Sequence, residues 1–200
     1  MKGRESGMPD ETYWNSFFNP SCIVKKLDCG ESYRGLVEVG CGYGLFTIPA
    51  AKLARGPVFA FDVEPDMVRT TVERVRAADL LNVVAEVRDC IDNGFGCSDA
   101  SIDHVMLYNI LHIENPVGLL REVFRVLVPG GKVSVIHWRS DVETPRGPSP
   151  AIRPRPDQCR DWGEEAGLRL DRYESLNCCS YHYGLVLARP QSGEATNRLG

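Results

Sequence analysis

The amino-acid sequence predicts an α/β protein with helices wound on both faces of one mostly parallel, seven-stranded sheet. Three observations carry this. Short apolar runs alternate with segments of helical period, a glycine-rich turn follows the first run, and 200 residues at 22.2 kDa suit one domain.

In order along the chain, Leu36 to Val39 is the first apolar run, and it ends in Gly40-Cys41-Gly42-Tyr43-Gly44. A helical segment follows over 45–54. Val58 to Asp62 is the second run, succeeded by a helix over 65–78; Val83 to Asp89 is the third. Ile102 to Tyr108 is the fourth. The spacing then predicts a helix over 116–128, with apolar residues at 119, 120, 123, 124, 126 and 127 and Arg121, Glu122 and Arg125 opposite. Asn115-Pro116 supplies an N-cap and first-turn pair, and Pro129-Gly130-Gly131 is read as the stop. Val133 to Ile136 is the fifth run. Strands separated by helices imply right-handed crossovers and parallel pairing. A short helix over 157–166 ends at Gly167, and the runs 168–176 and 183–189 follow with no helix between them. They predict an antiparallel pair at one edge, completing a doubly wound, Rossmann-like sheet with an antiparallel edge strand.

Residues 1–10 and 190–200 are polar and are read as flexible ends, leaving 11–189 as a single domain. Charged residues make up 25% and the net charge is −4, which disfavours DNA and other polyanions as partners. No uncharged apolar run approaches the ~18 residues of a spanning helix. The first ten residues lack an apolar stretch, so no secretory signal is expected and the protein is placed in the cytoplasm. Eight cysteines are present without CxxC spacing. They are expected to be reduced, mostly small buried hydrophobes, with no metal bound; Cys178 and Cys179, as neighbours, are not expected to bridge each other.

The chemistry lies at the strand tips. Gly40 and Gly42 permit positive φ and close approach of main chain to a ligand. A dinucleotide fingerprint, GxGxxG, would need glycine where Leu45 stands, and Glu38 sits badly beside a pyrophosphate but well beside an amino-acid ammonium. Asp62, 20 residues past Gly42, suits both hydroxyls of a ribose. Asp89 suits an adenine amino group, with the N–H of Cys90 meeting a ring nitrogen. Asn109 closes the fourth run.

These elements resemble the class I S-adenosylmethionine-dependent methyltransferases, especially the small-molecule branch of ubiquinone and menaquinone biosynthesis. The segments carrying the resemblance are VEVGCGYG, FAFDVEPDM, Asp89-Cys90, SIDHVMLYNILH and LREVFRVLVPGGK. It implies that Glu38, Gly40, Cys41 and Gly42 hold the methionine end and that Asp62 binds ribose. It implies further that Val63 and Met67 flank the adenine, that Asp89 and Cys90 read its edge, and that Asn109 contacts the methionine part through its main chain. Tyr13, Trp14, Phe17 and Phe18 would form a leading helix over the cofactor.

His112 and His137 are the candidate catalytic bases. Residues 144–156 hold five prolines and three arginines, a stiff loop where Arg153 and Arg155 are candidates for an anionic substrate. Asn109-Ile110-Leu111 is not the Pro-Pro-aromatic turn of base-amino methyltransferases and no Pro-Cys nucleophile is present, which argues against DNA bases and leaves RNA and protein open; the resemblance implies a small-molecule acceptor. Three alternatives stay open. One is a cofactor-binding regulatory protein without transferase activity. Another is an arsenite-type enzyme using Cys159, Cys178 and Cys179, and the last is a nicotinamide oxidoreductase.

Overall fold

The computed structural model describes residues 7–30, 32 and 34–191. The elements run α1 (Glu11–Asn15), α2 (Pro20–Lys26), β1 (Leu36–Val39), α3 (Thr47–Leu53), β2 (Val58–Asp62), α4 (Pro65–Ala77), β3 (Val83–Val87), α5 (Cys90–Asn93), β4 (Ile102–Tyr108), α6 (Pro116–Val126), β5 (Leu127–Trp138), a 3-10 turn (Pro150–Ile152), α7 (Pro156–Glu165), β6 (Arg169–Glu174) and β7 (His182–Ala188). The seven strands lie in the order β3-β2-β1-β4-β5-β7-β6. β1 to β5 pair in parallel, and β7 pairs antiparallel with both β5 and β6. The strand opposing the rest is therefore β7, one place in from the edge.

Alternation along the strands feeds two cores. Val37, Val39, Val105, Leu107, Val133 and Val135 face one side, where α6 and α7 bring Leu119, Leu120, Val123 and Cys159. Leu36, Met106, Tyr108 and Ile136 face the other, with Ile23 and Val24 of α2 and Ala50 and Ala51 of α3. Burial on both faces is why these strands read as nearly continuous apolar runs.

Three expectations change. Pro129-Gly130-Gly131 is not the helix stop: α6 ends at Val126, and β5 already begins at Leu127, with Gly130 at φ +81°. The extra residues are absorbed by a register shift against β4, from Ile102↔Leu127 to His104↔Lys132. Cys22 and Cys178 form a disulfide across 156 residues of chain, because α2 packs against the β6–β7 connection, and this overturns the reduced-thiol expectation for that pair. The other six cysteines are free, and five of them are buried. The segment 7–10 is part of the structure, since Tyr43 Oη donates to Pro9 O at 2.8 Å, Arg146 donates to Gly7 O, and Asp10 caps α1. The expected flexibility of 1–6 and 192–200 falls outside the described residues. Among the described residues no helix is long and apolar enough to cross a membrane.

Candidate functional site

A cavity of about 400 Å³ opens at the carboxyl ends of the parallel strands, where an open α/β sheet forms its crevice. Its wall includes Gly40, Cys41, Gly42, Asp62, Val63, Met67, Asp89, Cys90 and Asn109. The turn after β1 supplies the floor. Gly40 and Gly42 have φ of +76° and +53°, a region costly for side-chain-bearing residues. A Cβ on Gly40 would come 2.6 Å from Ile110 Cδ1, and one on Gly42 would come 3.1 Å from Met8 Cε. Both faces of the turn are thus kept bare of their own side chains.

Asp62 is held at both oxygens. Oδ2 accepts from Gly42 N at 2.9 Å and Oδ1 from Glu64 N at 3.0 Å. These bonds fix the carboxylate on the cavity wall and tie the β2 tip to the glycine turn. Asp89 caps α5, its Oδ1 accepting from Ile91 N and Asp92 N. Asn109 sits at φ +59°, and neither amide atom of its side chain has a hydrogen-bond partner among the described residues, although both are buried. A non-glycine residue at positive φ with unsatisfied polar atoms at a cavity wall is costly, and a bound polar ligand would relieve it.

Glu38 departs from its expected place. Strand parity turns it toward α3 and away from the cavity wall. It is 2% exposed, and Thr47 Oγ1 donates to Glu38 Oε2 at 2.5 Å. Burial, reinforced by the negative charge of Asp62, pushes its carboxyl up to about 8, against the pull of the Thr47 bond. It backs the glycine turn rather than lining it.

The other end of the cavity is built by side chains from distant segments: Trp14 of α1, Phe46, Tyr108, Ile110, His112, Ile113, Trp138, and Arg146-Gly147-Pro148 of the proline-rich loop. Trp14 and Trp138 meet edge to face at 6.3 Å. Of the expected leading aromatics only Trp14 reaches the cavity. Phe17 and Phe18 pack instead on Trp138, and Phe18 also on Phe46.

Three further candidates need correction. His137 lies on the α7 side of β5, fully buried, and does not line the cavity; its neighbour Trp138, of opposite parity, does. His112 lines the cavity and its Nδ1 stands 3.1 Å from His137 Nε2. Arg153 is buried and spent on structure, donating to the carbonyls of Pro148, Arg139 and Arg146 and lying over the Trp138 ring. Arg155 is exposed and paired with Asp157, off the cavity wall. The loop arginine that does line it is Arg146. Met8, Trp138 and Arg146 were missed. Parity after Ile136 could have revealed Trp138, but Met8 and Arg146 leave no local signal.

The thiols weighed for soft-ion chemistry are otherwise engaged. Cys178 is in the disulfide, Cys179 Sγ lies 3.0 Å from His182 Nδ1, and Cys159 Sγ lies 3.3 Å from Tyr183 Oη. Among the described residues no histidine, cysteine and carboxylate cluster could hold a metal.

Residues 36–131 match the family of methyltransferase domains. Over 124 residues the chain is 30% identical to a phosphoethanolamine N-methyltransferase of Triticum aestivum, covering 62% of this chain and 24% of the wheat protein. Over 104 residues it is 30% identical to a demethylmenaquinone methyltransferase of Listeria welshimeri, covering 50% of this chain and 43% of that protein. The chain thus spans well under half the length of these relatives. Among solved structures, a SAM-dependent methyltransferase from Aquifex aeolicus matches with a TM-score of 0.75 at 24% identity, covering 90% of this chain and 94% of that one. The [4+2]-cyclase SpnF matches with a TM-score of 0.74 at 16% identity, covering 96% and 85%. Both likenesses are likenesses of fold.

Proposed function

We propose that the chain is a class I S-adenosylmethionine-dependent methyltransferase domain whose activity is methyl transfer to a small-molecule acceptor. One observation carries this: every strand-tip residue expected at the cofactor, Glu38 excepted, lines a single cavity. Two features of that cavity fit S-adenosylmethionine in particular. The bare glycine turn accepts the amino-acid end, and the buried, unpartnered amide of Asn109 offers both a donor and an acceptor beside it. Asp62, already positioned by two backbone donors, takes the ribose hydroxyls; Val63 and Met67 contact the adenine, and Asp89 and Cys90 read its edge.

When bound, the cofactor supplies a methyl already activated on a sulfonium. What remains for the protein is to hold, to exclude water and to orient an acceptor within about 3–3.5 Å of that carbon. The aromatic end does this with Trp14, Trp138 and Phe46, and Arg146 gives it one positive charge in place of Arg153 and Arg155. A cavity of this size, with mostly apolar walls, suits a small molecule and not a duplex or a folded partner.

Calorimetry with S-adenosylhomocysteine tests the first half: micromolar binding is expected, and NADH should not compete. Incubation with methyl-labelled cofactor and a metabolite extract tests the second. Label appearing in a small-molecule fraction supports transfer. Tight binding with no labelled product would favour a cofactor-binding protein doing other work, as the likeness to a cyclase makes worth measuring.

A further inference from the structure

Arg88 stands one residue beyond β3 and lines the cavity. Its backbone N–H donates to Asp62 O at 2.8 Å, carrying the β2–β3 pairing past Asp62↔Val87. By strand alternation its side chain then shares a face with Phe61, Val63 and Glu86. The contacts agree: the guanidinium carbon lies 5.5 Å from the centre of the Phe61 ring, and Nη2 lies 3.8 Å from Glu86 Oε2. A Cβ on Gly96 would come 3.0 Å from Cζ, 3.0 Å from Nη2 and 3.1 Å from Nη1. Near-equal distances to all three atoms place Gly96 over the guanidinium plane, where its bare backbone at φ +70° leaves room for the group. The head is thus held flat, its donors projecting in the plane.

The protein itself uses none of those donors. Arg125, Arg153 and Arg189 each spend side-chain N–H groups on main-chain carbonyls. Arg88 donates no side-chain hydrogen bond among the described residues. Its contact with Glu86 is beyond hydrogen-bond length, and its Nε is buried without a partner. Such an idle guanidinium is a cost to the fold that a ligand acceptor would offset. Its neighbours indicate which ligand group. Val63 and Cys90 share the cavity wall with it, and they are the residues assigned to the face and the edge of the adenine. The Arg88 charge also draws the Cys90 thiol down against the burial that pushes it up to about 12, so the two groups are close. We infer that a guanidinium N–H of Arg88 donates to a ring nitrogen of the adenine, one that the Cys90 N–H leaves free.

This deepens the reading of the cavity as an S-adenosylmethionine site and rests on it. A guanidinium is a donor only, at every working pH, and N3 and N7 of adenine are acceptors, so the match needs no change of protonation on either side. A base carrying an N–H at that place would set donor against donor. Arg88 therefore adds selectivity for the base to a wall on which Asp62 serves the ribose and Asp89 the exocyclic amino group.

The test compares S-adenosylhomocysteine with its 1-, 3- and 7-deaza analogues by calorimetry, on the full chain and on Arg88→Met, which keeps the apolar stem. Wild type should lose about 10-fold in affinity for the analogue lacking the nitrogen that Arg88 meets. Arg88→Met should bind the parent compound about 10-fold more weakly and lose nothing further with that analogue, while the other two keep their wild-type ratios. Because the side chain makes no hydrogen bond within the protein, urea unfolding without ligand should find the variant as stable as wild type. A wild type indifferent to all three analogues, or a variant in which every ratio persists, overturns the assignment. So does a variant that unfolds more easily or fails to fold, which would make Arg88 a structural residue. Wild type that binds none of the four compounds refutes the cofactor site itself, whereas tight binding of the parent unchanged in Arg88→Met refutes only the role of Arg88.

Discussion

The two ends of the cleft are made differently. The end assigned to the cofactor comes from strand tips and the turns directly after them: Gly40 to Gly42, Asp62 to Met67, Asp89 and Cys90. Each group is positioned by backbone bonds to its immediate neighbours in the sheet, such as Asp62 to Gly42 N. The aromatic end gathers single side chains from α1, from the end of β5 and from a loop rich in proline. It is closed by the strap Gly7-Met8, held through Arg146. The first end depends on main-chain geometry that few substitutions preserve. The second depends on side chains that can be exchanged one at a time without disturbing the sheet, which lets one scaffold serve different acceptors.

The sharpest way to break this contrast is Gly40→Val. A β-branched residue at φ +76° is strained, and its Cβ falls 2.6 Å from Ile110 Cδ1 in the space that receives the ligand. Binding of S-adenosylhomocysteine should weaken by at least about 100-fold, about 3 kcal/mol, with the circular dichroism spectrum retained. Unchanged binding would mean that main-chain approach at this turn is irrelevant. Asp62→Ala comes next. It removes charge-assisted hydrogen bonds worth about 1.5–3 kcal/mol, so affinity should fall about 10–150-fold by calorimetry. Since Asp62 also receives Gly42 N, Asp62→Asn should recover part of the loss by keeping an acceptor there.

At the other end, the two loop arginines separate structure from recognition. Arg153→Ala abandons three carbonyls and the face of Trp138, and should lower stability by about 1–3 kcal/mol in urea unfolding. Arg155→Ala removes only an exposed pair with Asp157 and should change stability by less than about 0.5 kcal/mol. Equal effects would show that the proline loop is not anchored through Arg153.

The same contrast explains what was legible in the sequence. Strand and helix order followed from periodicity, and the cofactor end from residues a few positions apart, because local geometry fixes both. Composition could not choose among Arg146, Arg153 and Arg155, which share one loop; the choice depends on which side chain meets free carbonyls once the loop folds back on Trp138. His137 and Trp138 differ by one residue, yet the pleat sends one behind the sheet and the other into the cleft. The Cys22–Cys178 bridge joins residues 156 apart, and only the packing of α2 brings them together. Met8 was hidden because a polar terminus carries no periodicity.

Glu38 stands between the two kinds of site, fixed by the strand yet working at a distance from the cavity wall. Its carboxyl is pushed up to about 8 by burial, above the ordinary glutamate value, so the folded protein holds a proton that the unfolded chain releases. The folded state therefore binds more protons across that window, and stability falls as pH rises from about 4.5 toward about 8. Glu38→Gln keeps the shape and the contact with Thr47 while removing the ionisable group. It should flatten this dependence and raise the melting temperature at pH 8 by about 2–4 °C, about 1 kcal/mol. The same variant should bind the cofactor more weakly at pH 8, because a cationic ligand near the glycine turn draws on the ionised form. In the wild type, binding below pH 8 should release a proton, measurable as a buffer-dependent calorimetric enthalpy. A variant that gains no stability, or a binding enthalpy indifferent to buffer, would place Glu38 with the purely structural residues of β1.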